Sequence, residues 1–355
     1  ILQASSPVPI LSNTKPTAYY FFKNNVSVFS TPPPNFSIRE AITLVQDLYG
    51  LTAELSPLTS DRDQNFLCIT DQDKYILKIY NPDEDKSVLE LQNECIKYIK
   101  ERDPALQVPV PFKNFKTIES GDTTLLVRIV EFLPGKFLMD VDHHNDLLYE
   151  LGSFLGRLRT AMNGFDHPAG HRDFPWDVAY VDFIKGHKHY LKSKEYMVDH
   201  FIEHYEQIVF PIASELRKAI IHNDGNDHNI LVNKKGLPNG IIDFGDMVHT
   251  FIACEPAVCM AYVALGKDNP LDSIAYVLKG FYNSFPLNVQ ELSVVIYLVC
   301  LRLCITVTMA AYRKQLFPEN KYISVSEDQA WDFLEKMHNE DLNKWSDKLV
   351  EYAQS

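Results

Sequence analysis

Apolar residues change their period several times along this chain, and each change marks an element. Behind Ser37-x-x-Glu40, a capping-box signature, Ile38, Ala41, Ile42, Val45 and Leu48 share one helical face that stops at Gly50. Over 51–80 the runs become short and β-like. Residues 64–70 and 75–80 flank the polar turn 71–74, which predicts a hairpin, and a polar loop precedes it at 60–65. Ser87-x-x-Glu90 predicts a second capped helix with Leu91, Cys95, Ile96, Tyr98 and Ile99 inward. The run 125–133, halted by Pro134-Gly135, reads as a buried strand, and a lobe boundary is placed after it. Helical spacing then dominates. It covers Leu147 to Leu158, about 181–217, 255–265, 271–282 and 292–312, and a last amphipathic helix behind Ser324-x-x-Glu327. Only 219–246 interrupts it, with a strand, a hairpin and a second strand. The expected architecture is α+β in two lobes: a small antiparallel-sheet lobe over 37–133 and a large helical lobe over 134–355. A proline-dotted flexible extension, 1–36, need not pack.

With 355 residues, 46% of them hydrophobic, the chain can bury cores for two such lobes, and its composition excludes disorder or a collagen-like repeat. Its 34 Lys and Arg against 47 Asp and Glu leave a net charge of −13, which speaks against a nucleic-acid partner. An anionic ligand has to be met by a few focused cations. The six cysteines are scattered through apolar runs without CxxC spacing and read as reduced core residues of a cytoplasmic protein. Asn-x-Ser sequons at Asn25 and Asn35 follow no secretory signal and are read as chance matches, and Ile1 is not taken as the natural start. The 292–312 run approaches membrane-spanning length. Arg302 at its centre would cost about 2.5–3.5 kcal/mol in a bilayer, so a buried core helix is expected and no membrane partner.

Candidate chemistry concentrates in 219–246, AIIHNDGNDHNILVNKKGLPNGIIDFGD. Asp224, on a loop after the first strand, is the candidate carboxylate beside an acceptor hydroxyl. Asn229 and Asp243, at the two ends of the hairpin, offer the oxygen ligands that Mg2+ prefers. All three are expected at one end of a two-stranded ribbon, a layout suited to phosphoryl transfer. Each alone is weak, because Asp and Asn also fill turns. Zinc ligation by His222 and His228 is set aside for want of a third soft ligand nearby, and His222 is read as a brace of the loop. Lys78, in an apolar strand with Ile76 and Tyr80 on its face, is either an edge lysine or a roof lysine over nucleotide phosphates. Glu90 and Glu94 share a helical face and could reach back to it, although Glu90 is also the capping-box residue. Arg302 needs a partner, either a substrate carboxylate or a structural salt bridge to Glu255 or an aspartate. In the first case Asp246 and Glu255 would meet a substrate ammonium.

Residues 60–66 (SDRDQNF), 75–78 (YILK), 90–93 (ELQN), 165–168 (FDHP), 222–229 (HNDGNDHN), 242–247 (IDFGDM), 310–312 (AAY) and 317–320 (FPEN) together resemble the aminoglycoside phosphotransferase and choline kinase family. The resemblance runs from about residue 36 to the C-terminal helix. It implies a protein-kinase-like fold, with Asp224 as catalytic base and Asn229 and Asp243 as Mg2+ ligands. It further implies Lys78 on the nucleotide phosphates, paired with Glu90 or Glu94, under a loop from Ser60 to Asn65, and a hinge at 132–135 near the nucleotide base. The family's usual His-Gly-Asp differs here, since Asn223 replaces the glycine and Gly225 follows the aspartate. Within the family the resemblance is nearest to the hydroxylysine kinase branch, associated with GTP, and to kinase domains fused to aminotransferases, so membership of a larger fusion protein is left open. The implied donor is GTP or ATP, and the implied acceptor is an amino acid or amino alcohol, 5-hydroxy-L-lysine first. Homoserine, ethanolamine, choline and aminoglycosides remain alternatives. A catalytically silent nucleotide-binding module is the alternative from another class, and the complete set of groups speaks against it.

Overall fold

The computed structural model describes residues 27–320 and 326–355. Its first element, α1 (Ser27–Ser30), lies in the stretch expected to be a flexible extension, yet it is packed. Phe29 is buried among Phe174, Phe183, Val248 and Met309, because an aromatic that finds an apolar socket outweighs the entropy of ordering a short segment. Arg313 Nε also donates to Phe29 O at 3.3 Å, and the backbone of Phe36 exchanges two hydrogen bonds with the Gln64 amide. The remainder of the expected extension, 1–26, lies outside the described residues, as does Ser324.

The N-lobe begins with α2 (Ile38–Tyr49), closed by the Ser37–Glu40 capping box and by Gly50 in the left-handed region at φ 70°. Next come β1 (Glu54–Leu58), β2 (Gln64–Ile69), β3 (Lys74–Ile79), α3 (Lys86–Arg102), β4 (Lys116–Ser120) and β5 (Thr123–Glu131). The strands form one antiparallel sheet in the order β1-β2-β3-β5-β4. Alternation along β3 sends Leu77 and Ile79 to a core shared with α2, while Ile76 and Lys78 face the cleft below. The cap of α3 differs from the Ser87 expectation. Asp85 is the N-cap, its carboxylate accepting from Ser87 N at 2.8 Å, and the Glu90 carboxylate pairs with Lys86 at 3.4 Å.

The chain enters the C-lobe through β6 (Lys136–Phe137), which pairs with a strand of that lobe, and continues with α4 (Asn145–Ala161), α5 (Asp182–His187) and α6 (Glu195–His204). Two short ribbons come next, built from β7 (Lys218–Ile221), β8 (Ile230–Val232), β9 (Pro238–Ile241) and β10 (Val248–Phe251). Helices α7 (Cys254–Val263), α8 (Pro270–Ser284), α9 (Val289–Leu316), α10 (Glu327–His338) and α11 (Leu342–Gln354) complete the lobe. Among the described residues α9 is the one helix long and apolar enough to cross a membrane, and 94% of its most apolar window is enclosed by protein. All six cysteines are buried thiols.

The backbones of α4 and α8 approach more closely than side chains would allow. A Cβ on Gly280 would stand 1.9 Å from Tyr149 O, and one on Gly152 1.9 Å from Val277 O. Gly280→Ala is therefore expected to lower unfolding free energy by about 1–3 kcal/mol, the usual cost of overpacking. Gly186→Ala in α5, where a Cβ meets nothing within 4 Å, should be neutral or mildly stabilising. Urea unfolding followed by circular dichroism checks this, and equal midpoints for the two variants would contradict the close approach.

Candidate active site

A cleft of about 610 Å³ lies between the lobes. Ser60, Asn65 and Lys78 line it from the N-lobe, and Asp224, Asn229, Asp243, Asp246 and Arg302 from the C-lobe. The three catalytic candidates come from two ribbons instead of the single one expected. Asp224 follows β7, which pairs with β10, whereas Asn229 precedes β8 and Asp243 follows β9, partners in the other ribbon. His222 joins them. Its Nδ1 accepts from the Asp224 backbone N–H at 3.2 Å, which leaves Nε2 to donate to Ile242 O, across in the second ribbon, at 3.1 Å. Burial pushes the His222 pKa down to about 4, so the ring works as a neutral brace.

Asn223 resolves the departure from the usual glycine. Its φ is 64°, in the left-handed region that glycine enters freely and asparagine tolerates. Its amide also donates to Asp246 O at 3.2 Å and Trp176 O at 3.3 Å, contacts that a glycine lacks.

The Asp224 carboxylate accepts three side-chain hydrogen bonds. Oδ1 takes Asn226 Nδ2 at 2.8 Å and Arg302 Nη2 at 3.0 Å, and Oδ2 takes Asn229 Nδ2 at 2.6 Å. Burial, with the Asp246 and Asp243 carboxylates nearby, pushes its pKa up, and Arg302 pulls against them. Asp243 is opposite in sense. Lys78 Nζ at 3.6 Å, helped by Arg62, holds its pKa down to about 2 against the effect of burial. Burial pulls the Lys78 pKa down, but Asp243, Tyr80 and Asp63 together keep it above the ordinary value. An ionised carboxylate at Asp243 and the amide oxygen of Asn229, whose NH2 is taken by Asp224, form an all-oxygen donor set. That suits Mg2+, which draws its other ligands from phosphate and water.

Neither glutamate of α3 reaches Lys78. Glu90 pairs with Lys86, and Glu94 lies 3.9 Å from His167 on the outer surface. The reason is packing: Leu91, Cys95, Ile96 and Ile99 sink α3 into the C-lobe core, which turns both glutamates outward. Asp63, at 3.9 Å, and Asp243 are the carboxylates beside Lys78. Glu255 is also not in the cleft. It is fully buried behind it and accepts from His222 N at 2.8 Å, so it holds a strand end and cannot meet a ligand. Asp246 does face the cleft, paired with Arg62 at 2.7 Å.

Arg128 was missed. It lies across the ladder from Lys78 and lines the cleft, with Nη2 donating to Gln92 Oε1 and Nη1 to Asn93 Oδ1, both at 2.7 Å. Its signal was the one that exposed Arg302, a charge inside an apolar run. The loop over the cleft is tied to the C-lobe by Arg62–Asp246 and by an ion pair between Asp61 and Arg313.

Known proteins share both sequence and fold with this chain. Mouse (Mus musculus) hydroxylysine kinase is 30% identical over 338 residues, 86% of this chain and 90% of that protein. The Xenopus laevis hydroxylysine kinase is 29% identical over 348 residues, 89% and 93% of the two chains. Among solved structures, an amicoumacin kinase in complex with AMP-PNP and Ca2+ superposes with a TM-score of 0.68 at 15% identity, covering 87% of this chain and 97% of its own. A microcompartment-associated aminopropanol kinase gives a TM-score of 0.65 at 15% identity, covering 90% and 94%. The two-lobed architecture is thus the protein-kinase-like one of the small-molecule phosphotransferases. A model of the phosphotransferase enzyme family matches residues 54–276, most of the chain. The chain belongs to that phosphotransferase enzyme family and is an enzyme that transfers phosphate to a hydroxyl acceptor.

Proposed function

We propose that this chain moves the γ-phosphate of GTP or ATP to the hydroxyl of an amino acid or amino alcohol, with 5-hydroxy-L-lysine as the first candidate. The observation that carries the reaction is the convergence of Asp224, Asn229, Asp243 and Lys78 on one interlobe cleft. Support for the acceptor comes from the 30% identity to mouse hydroxylysine kinase along nearly the whole of both chains.

Asp224 takes the proton of the acceptor hydroxyl, and the three donors on its carboxylate set the direction from which that hydroxyl must approach. Lys78 binds the donor phosphates, beneath the loop that runs from Ser60 to Asn65. Asn229 and Asp243 would hold Mg2+, which when bound would neutralise charge on the phosphates. Asp246, which lines the cleft beside its Arg62 partner, is the carboxylate assigned to face an acceptor ammonium. Six buried thiols fit a reducing, cytoplasmic setting.

A coupled GTP and ATP consumption assay over hydroxylated amines and amino acids tests the reading, with turnover expected on 5-hydroxy-L-lysine. Silence across the panel would favour a nucleotide-binding module without catalysis. Asp224→Asn should lower kcat about 10²- to 10⁴-fold with the nucleotide KM little changed, the range for losing a general base. Retention of full turnover would remove Asp224 from that role. Lys78→Ala should reduce kcat/KM for the nucleotide about 10- to 100-fold, as expected for a charge-assisted contact worth ~1.5–3 kcal/mol. An unchanged value would place the phosphates elsewhere.

A further inference from the structure

We infer that Arg302 is a positioning residue for Asp224, tying the catalytic carboxylate to the helical core, and is not the reader of an acceptor carboxylate. This rests on the proposed role of Asp224 as base.

Arg302 sits on α9 with each guanidinium nitrogen engaged by the protein. Nε donates to Tyr262 OH at 3.3 Å, Nη1 to Trp176 O at 3.0 Å and Nη2 to Asp224 Oδ1 at 3.0 Å. Its guanidinium carbon lies 4.5 Å from the Trp176 ring centroid and 5.6 Å from that of Tyr262. Thr306, one turn on, closes the cage, since its hydroxyl lies 3.3 Å from Tyr262 OH and donates to Arg302 O at 3.0 Å. A guanidinium reads a ligand carboxylate best through two N–H groups along one open edge. Here three of the five N–H groups already meet protein oxygens, and the Arg302 side chain is only 2% exposed, against 18% for Asp224. Arg302 borders the cleft, but its guanidinium lies behind the more open Asp224 carboxylate and is almost entirely covered.

The other two donors to Asp224, Asn226 and Asn229, belong to its own loop. They fix the carboxylate relative to that loop, but they cannot stop the loop and carboxylate from shifting together. Arg302 is separated from Asp224 by 78 residues and is the side-chain donor, among the described residues, that fastens it to another element. Phosphoryl transfer relies on position more than on basicity, and a displacement of about 1 Å can cost about 10²-fold in rate.

The test is a kinetic cycle on the full chain with the acceptor that gives the highest turnover. Arg302→Gln is expected to lower kcat about 10- to 100-fold while both KM values stay within about threefold. Arg302→Lys should recover part of the loss, and Arg302→Gln added to Asp224→Asn should cost nothing further, because the group it positions is already gone. A raised acceptor KM with kcat intact, or full additivity with Asp224→Asn, overturns the inference. Full activity of Asp224→Asn alone overturns the base assignment instead. Tyr262→Phe removes one anchor of the guanidinium without unpairing Asp224, so it covers the case in which Arg302→Gln does not fold. It should lower kcat with KM unchanged, and a KM effect alone would count against the positioning role.

Discussion

Charges withdrawn from water must be paired or they are neutralised, and this constraint organises the cleft. Lys78 meets Asp243 and Asp63, Arg62 meets Asp246, and Arg302 meets Asp224. Two of these pairs, Lys78–Asp243 and Arg62–Asp246, cross between the lobes. The sheet and the helical lobe are thus held in register by the same groups that the chemistry needs. Metal and phosphate would enter an environment in which opposite charges are already opposed at short range, with Asp243 ionised and Lys78 protonated.

The segment around α1 extends the same logic outward. Phe29 plugs into the C-lobe, while Asn81 of the N-lobe donates to Thr31 O at 3.1 Å and to Arg62 O at 3.3 Å. Arg62 lies 5.0 Å from the Phe29 ring centroid. The loop over the cleft therefore rests on an apolar anchor and two interlobe ion pairs, so its position follows from packing as much as from charge.

Much of the fold was legible because it follows from local rules. The Ser37 capping box, the hairpin around 71–74, the apolar period of α4 and the continuous apolar run of α9 depend on residues close in sequence, and all appear as expected. The α3 start was misread because Asp85 competes with Ser87 for the cap, and both are good N-cap residues. Glu90 and Glu94 were misplaced for a different reason. Which face of a helix is inward depends on what the helix is buried against, and α3 is sunk into the other lobe. The single ribbon expected over 219–246 failed likewise, because β7 took β10 as its partner, a strand that begins just after that stretch.

Residue type and spacing along the chain determined the two-lobed plan, the motif residues and the reaction class, since these depend on pattern alone. Tertiary structure decided which charges meet. Arg302 was readable as a buried cation in need of a partner, but only the packing of α9 beside the loop after β7 made that partner Asp224. Asn223 shows the converse, a substitution whose backbone could not be read from spacing until its left-handed φ and two amide hydrogen bonds were in place. The physical reason is common to both. Sequence pattern reports how costly a group is to bury, whereas the identity of the group that offsets this cost is a matter of distance between residues far apart in the chain.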